Sequence, residues 1–197
     1  MNKTLEFFFD VGSPAAYLAW TQLPRIVAET GATVRWRPML LGGVFKAAGN
    51  SSPVTIPAKG RWLMADLARF AARYGVPLNI PAEFPVNTLT LMRGAAGMQL
   101  KHPQDLTRYL TAAFEGIFAR GLAMGDPAVV AEVLCDAGFD PTDFQALISD
   151  PAVKQALIAT TEEAVTRGVF GAPTMFVGAE MHFGQDRLDF VAAALRG

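Results

Sequence analysis

The chain has 197 residues, 51% of them hydrophobic, and 17 Lys and Arg against 18 Asp and Glu give a formal net charge of -1. That suffices for a sizeable core in one domain or a domain carrying an insertion, and the balanced charge without a basic run excludes a nucleic-acid binder. Apolar stretches such as Gly94 to Leu100 and Phe190 to Leu195 fall far short of the roughly 20 residues that span a bilayer.

Met1 to Thr4 run straight into a strand-like segment without the apolar region of a signal peptide, so the expected location is cytoplasmic. A single cysteine, Cys135, excludes an internal disulfide and any Cys-x-x-Cys redox or zinc site. Within the pattern Val130 to Cys135 it reads as a small buried apolar residue. His102 and His182 lie far apart in sequence, and no metal centre is expected.

Leu5 to Asp10 reads as a buried strand, since bulky aromatics cluster in a short run that ends at a Gly-Ser-Pro turn signal. A helix follows from about Pro14 to Glu29, with Pro24 inside it removing a backbone hydrogen bond and kinking it. In Ala32 to Pro38, Val34 and Trp36 alternate with Thr33, Arg35 and Arg37, so a second strand closes a βαβ unit. From Leu40 to Asp150 no further strand is expected, only short helices. Arg61 to Tyr74 and Thr88 to Leu100 are two of them, joined by an extended Pro77 to Pro85 link. Asp126-Pro127, Asp140-Pro141 and Asp150-Pro151 mark three helix starts, each an N-cap Asp with Pro at the first helical position.

The C-terminal part reads as a helix from Val153 to Arg167, a turn at Gly171-Ala172-Pro173, strands Thr174 to Val177 and Glu180 to Phe183, and a closing helix from Asp186 to Arg196. The order βαβ, then helices, then αββα is the outline of an α/β thioredoxin-like fold with an inserted all-helical domain. The expected boundaries are residues 1–40 and 151–197 for the discontinuous thioredoxin-like domain and 41–150 for the insertion.

Three places carry candidate chemistry, each with a plain alternative. Ser13 is either an ordinary N-cap or, at the start of the helix after the first strand, a group beside an anion, because unpaired N–H groups and the helix dipole stabilise negative charge there. A hydroxyl stands where such folds carry a reactive sulfur, so any thiolate comes from outside the chain. Pro173 is either part of an ordinary trans turn or a cis proline that frees the backbone of Ala172 to pair with a bound cysteinyl group. Asp186 is either an N-cap or a carboxylate for an ammonium, and Arg187 either a solvated charge or an anion contact.

Phe9-Asp10 with Gly12-Ser13-Pro14 and Tyr17-Leu18, Leu41 to Lys46 with Gly49-Asn50, Pro57 to Arg61, Gly168 to Thr174, and Phe183 to Arg187 together resemble the 2-hydroxychromene-2-carboxylate isomerases. These are related to kappa-class glutathione transferases in the DsbA-like thioredoxin superfamily. The resemblance spans nearly the whole chain. It implies a glutathione-dependent cis-trans isomerase, interconverting 2-hydroxychromene-2-carboxylate and trans-o-hydroxybenzylidenepyruvate in aromatic hydrocarbon (naphthalene-type) catabolism, and a homodimer.

By the same resemblance, Ser13 bonds the glutathione sulfur and Ala172, before Pro173, pairs with the cysteinyl moiety. Gln185 and Asp186 hold the γ-glutamyl end and Asn50 lies near the glycyl end. Lys46 or Arg187 is the expected partner of the substrate carboxylate. Lys46 and Lys59 read equally as surface charges, and Asp66 as a helix partner of Arg69 or Arg73. Ala15 departs from the kappa-class pattern, which has an aromatic after Ser-Pro, and so leaves room for a flat substrate. Phe45, Trp62, Phe114 and Phe118 are either that pocket's aromatic walls or simple core. The rivals are a kappa-type transferase that releases a glutathione conjugate and a non-catalytic thioredoxin-like binding protein. A thiol-disulfide oxidoreductase is excluded by Ser13 and Ala16, which replace both redox cysteines.

Overall fold

A computed structural model describes residues 3–197. Four strands form one sheet in the order β2-β1-β3-β4, with β1 (Thr4–Phe9), β2 (Thr33–Pro38), β3 (Thr174–Val177) and β4 (Glu180–Phe183). β1 runs parallel to β2 and antiparallel to β3, so it is central and needs apolar side chains on both faces. Its three phenylalanines supply them. Phe7 and Phe9 stack at 5.6 Å and meet Trp36 and Phe114 on one face, while Phe8 packs on Phe176 across the other.

The first face is covered by α1 (Pro14–Thr30), which joins β1 to β2. Ser13 caps its start, and Gly31, with φ of 67°, closes its end by donating to Val27 O. α1 is a single helix through Pro24. Two helices beyond those expected occupy the middle of the chain: α2 (Leu41–Ala48) directly after β2, and α5 (Leu106–Phe114). The others there are α3 (Pro57–Tyr74), α4 (Leu89–Lys101), α6 (Pro127–Asp136) and α7 (Pro141–Ser149), and α8 (Pro151–Thr166) leads back to the sheet. The link from Pro77 to Pro85 is irregular and turns at Ala82-Glu83 instead of running extended. It is held because Asn79 donates to Phe118 O and Ala119 O, and Pro77 O accepts from the Tyr17 hydroxyl.

All three Asp-Pro starts behave as read. Asp126 accepts from Ala128 N at 2.8 Å, Asp140 from Thr142 N at 2.7 Å and Asp143 N at 3.1 Å, and Asp150 from Ala152 N at 2.7 Å. Two expectations are corrected. The final helix, α9 (Leu188–Arg196), begins later than expected, after a 3-10 turn over Gln185–Arg187, and Asp186 caps nothing. Cys135 is exposed, because α6 buries the stripe Val130, Val133 and Leu134 and the next position turns outward. Arg37 is buried, because α8 covers its face of β2. Glu163 of α8 pairs with its guanidinium, which lies 5.1 Å from the Phe8 ring centre. Among the described residues no helix is long and apolar enough to cross a membrane.

The helices between β2 and β3 pack closely where α4 is bare. A Cβ on Gly94 would run into the Tyr109 hydroxyl and stand 2.7 Å from Phe144, and Tyr109 is fully buried with its hydroxyl donating to Leu91 O at 2.7 Å. Gly94→Ala is therefore expected to lower unfolding free energy by about 1–3 kcal/mol through overpacking, read from urea denaturation.

Asp150 provides a second check. Hydrogen bonding from Lys101, and then from Ala152 N–H, holds its carboxyl below the ordinary value of 3.8. A depressed pKa means stability present above 3.8 and lost as pH falls through the native value. Asp150→Ala should therefore lower the thermal midpoint at neutral pH, and the gap to the parent protein should close in strong acid.

Candidate active site

β1 delivers its C-terminal end to one edge of the sheet, where Asp10 to Ser13 turn into α1. Ser13 N–H donates to Asp10 O at 3.0 Å, and the Ser13 Oγ accepts from Ala16 N–H at 3.2 Å as an N-cap. The same hydroxyl donates to Ala172 O at 3.0 Å, across 159 positions of sequence. Ser13 thus caps the helix and also faces the loop before β3. It is buried, with 5% exposure.

That loop holds the cis peptide Ala172-Pro173. Thr174 Oγ1 donates to Gly171 O at 2.8 Å, and Gly184 N–H donates to Pro173 O at 3.0 Å, which brings the segment after β4 beside the loop. The Asn50 side-chain amide donates to Phe170 O at 3.0 Å, so the end of α2 closes on the same loop. Ser13, Asn50, Ala172, Pro173 and Gln185 are thus gathered by a chain of contacts at one end of the sheet. Gln185 is buried, and its carbonyl accepts from the Tyr74 hydroxyl at 3.0 Å. Burial pushes the Tyr74 phenol above its ordinary value, so it remains a donor.

The charged candidates sit further out. Asp186 Oδ2 accepts from Arg187 at 2.6 Å, and its other oxygen has no partner among the described residues. Arg187 is accordingly engaged already. Lys46, in the last turn of α2, is exposed, as is Lys59 in the first turn of α3. Asp66 pairs with Arg69 at 3.4 Å, which is the helix-surface reading. Phe114 and Phe118 are fully buried against Tyr17, so they are core and not pocket walls. Trp62 is 62% exposed and Phe45 half-buried.

Sequence reasoning passed over three features. Phe170 and Phe183, half-exposed, pack with tilted rings whose centres lie 4.6 Å apart beside the Ala172 loop, and a Cβ on Gly171 would stand 2.7 Å from Phe183. Tyr74 comes from α3, which nothing in its sequence relates to Gln185. Asp10 was legible in part, since Asp-x-Gly after a strand is an Asx-turn signal. Its Oδ1 accepts from Gly12 N–H at 2.9 Å.

The arrangement offers a helix N-terminus with a hydroxyl donor, a facing carbonyl and a nearby carboxylate. Among the described residues no group of three or more His, Cys, Asp or Glu is clustered for a metal ion. The family model of the DSBA-like thioredoxin domain matches residues 4–196. A 2-hydroxychromene-2-carboxylate isomerase of Sphingobium xenophagum is 34% identical over 197 residues, covering 99% of each chain. Human glutathione S-transferase kappa 1 is 29% identical over 207 residues, covering 99% of this chain and 92% of its own. A solved 2-hydroxychromene-2-carboxylate isomerase superposes with a TM-score of 0.87 at 31% identity, covering 98% of this chain and 94% of that one. The chain therefore belongs to the DSBA-like thioredoxin family, alongside the 2-hydroxychromene-2-carboxylate isomerases and the kappa-class glutathione transferases.

Proposed function

We propose that the protein is a glutathione-dependent cis-trans isomerase acting on 2-hydroxychromene-2-carboxylate and trans-o-hydroxybenzylidenepyruvate. The observation that carries this reading is the Ser13 hydroxyl, which caps α1 while donating across the cleft to Ala172 O. A thiol lent by glutathione fits this donor set. Ala172 O is an acceptor for a cysteinyl N–H, and the Ser13 proton it now receives turns to a sulfur instead. The free Asp186 oxygen and the Gln185 turn suit the γ-glutamyl ammonium and carboxylate, and Asn50 stands at the other side for the glycyl end. When bound, glutathione supplies a nucleophile that adds reversibly to the conjugated keto acid, lowering the order of the bond that must rotate.

Ser13 does the protein's part of the work. A free thiol is mostly protonated at neutral pH, and a hydroxyl donor together with the unpaired N–H groups of a helix start favours the anion. Lys46, exposed and without an ion-pair partner among the described residues, orients the substrate carboxylate. Arg187 is the second candidate and must first leave Asp186. A charge-assisted contact of this kind contributes roughly 1.5–3 kcal/mol. The reading extends to a discontinuous thioredoxin-like domain of residues 1–40 and 151–197 with a helical insertion at 41–150, a cytoplasmic homodimer, and a role in aromatic hydrocarbon catabolism.

The test is the ultraviolet change of a chromene carboxylate with and without glutathione. Ser13→Ala should keep the fold and cut glutathione-dependent turnover by about tenfold or more, as loss of a hydrogen bond to a charged group implies. Unchanged turnover in that variant removes Ser13 from the chemistry and leaves it a cap. Release of a stable conjugate would favour the transferase reading. No spectral change and no thermal stabilisation by glutathione would leave a non-catalytic binding protein.

A further inference from the structure

Among the described residues Asp10 is the one carboxylate buried beside Ser13, with 2% exposure, and the reaction just described makes no use of it. Each of its oxygens is committed. Oδ1 accepts from Gly12 N–H and Oδ2 from Leu41 N–H, both at 2.9 Å. Leu41 is the first residue of α2, and Thr88 directly precedes α4. With its own carbonyl accepting from Ser13 N–H, Asp10 joins the serine turn to the start of α2. The turn has no slack on that side, since a Cβ on Gly12 would stand 2.6 Å from the Thr88 methyl carbon.

Resting on the Ser13 reading above, we propose that Asp10 is a positioning residue: its carboxylate fixes the Ser13 hydroxyl against the Ala172 loop by clamping the turn to α2.

Stability does not explain the residue. Burial raises its carboxyl above the ordinary value of 3.8 despite the hydrogen bonds it accepts. For a raised acid, the native state binds the proton more tightly than the unfolded chain, so stability falls as pH rises from 3.8 through the native value. Burial works against the charged form of this carboxyl, and what it supplies is geometry.

Asp10→Asn separates the two. The amide keeps the shape but presents a donor to one of the two N–H groups, so one arm of the clamp opens. Leu41→Pro is the second variant. Proline is favoured at the first helical position, and Leu40 already has the extended conformation that must precede it, with φ -86° and ψ 106°. It deletes the N–H that Oδ2 accepts and leaves the charge in place.

Both variants are to be compared with the parent protein by circular dichroism, by kcat and KM for the chromene substrate, and by the ultraviolet thiolate absorbance of bound glutathione at neutral pH. The expected result is a native spectrum, kcat lower by about tenfold, as for a hydrogen bond to a charged group, little change in KM, and a smaller thiolate fraction. A buried anion acting only through its charge would give the opposite sign for Asp10→Asn, because its removal would raise the thiolate fraction. That rise, or unchanged kcat and thiolate in both variants, overturns the clamp. If Asp10→Asn does not fold, Leu41→Pro decides alone. A parent protein with no glutathione-dependent thiolate or turnover defeats the Ser13 reading itself, and the clamp with it.

Discussion

β1 must be filled with apolar side chains on both faces, and most of the architecture follows from that one requirement. Phe7 and Phe9 demand cover on one side and Phe8 on the other, so α1 and most helices between β2 and β3 pack against the first face while α2 and α8 close the second. Each fully buried aromatic of this kind contributes roughly 1.5–3 kcal/mol over an exposed one. With its flanks closed, the strand has only its C-terminal end to offer. The next four residues, Asp10 to Ser13, are therefore delivered to the sheet's edge, where the antiparallel β3 begins and brings Pro173 alongside.

The parts of this plan that were legible in the sequence are those where local chemistry and tertiary environment agree. The Asp-Pro starts are one case, since a capping carboxylate needs nothing beyond the next two or three N–H groups. The strands Thr174–Val177 and Glu180–Phe183 are another, bounded by Pro and Gly signals. Arg37 shows where legibility ends. Alternation along β2 places it opposite Val34 and Trp36, but only α8, more than a hundred residues later, decides that this side is dry. Phe114 and Phe118 fail for the same reason: an aromatic side chain has the same sequence whether it lines a pocket or fills a core. The site was legible in outline, since Ser13, Ala172 and Pro173 meet, but the contacts made by Tyr74 and by Thr88 depend on how helices between β2 and β3 return to the sheet.

Ser13 also resolves a choice that the local sequence leaves open. A hydroxyl has two lone pairs and one proton, and capping uses only a lone pair. The proton is left over, and in this structure it goes to Ala172 O. A cap of Asp, the residue this chain uses at three other Asp-Pro starts, would satisfy the helix equally well but would bring a negative charge and no proton to the cleft. The hydroxyl suits a site that must stabilise an incoming anion.

The acids of this chain divide by the same logic. Asp140 accepts backbone N–H bonds at a helix start in full contact with water, and those bonds hold its carboxyl below the ordinary value. Asp10 accepts bonds of the same kind from Gly12 and Leu41, yet its carboxyl is raised, because burial outweighs them. Equal hydrogen bonding with opposite titration isolates solvent as the deciding variable. A carboxylate at the surface stabilises its helix at no cost in desolvation, whereas burial beside Ser13 works against the charged form and has to be matched by what the carboxyl orders. What it orders is the turn that carries the serine, and this ties the charge buried at the end of β1 to the chemistry at the start of α1.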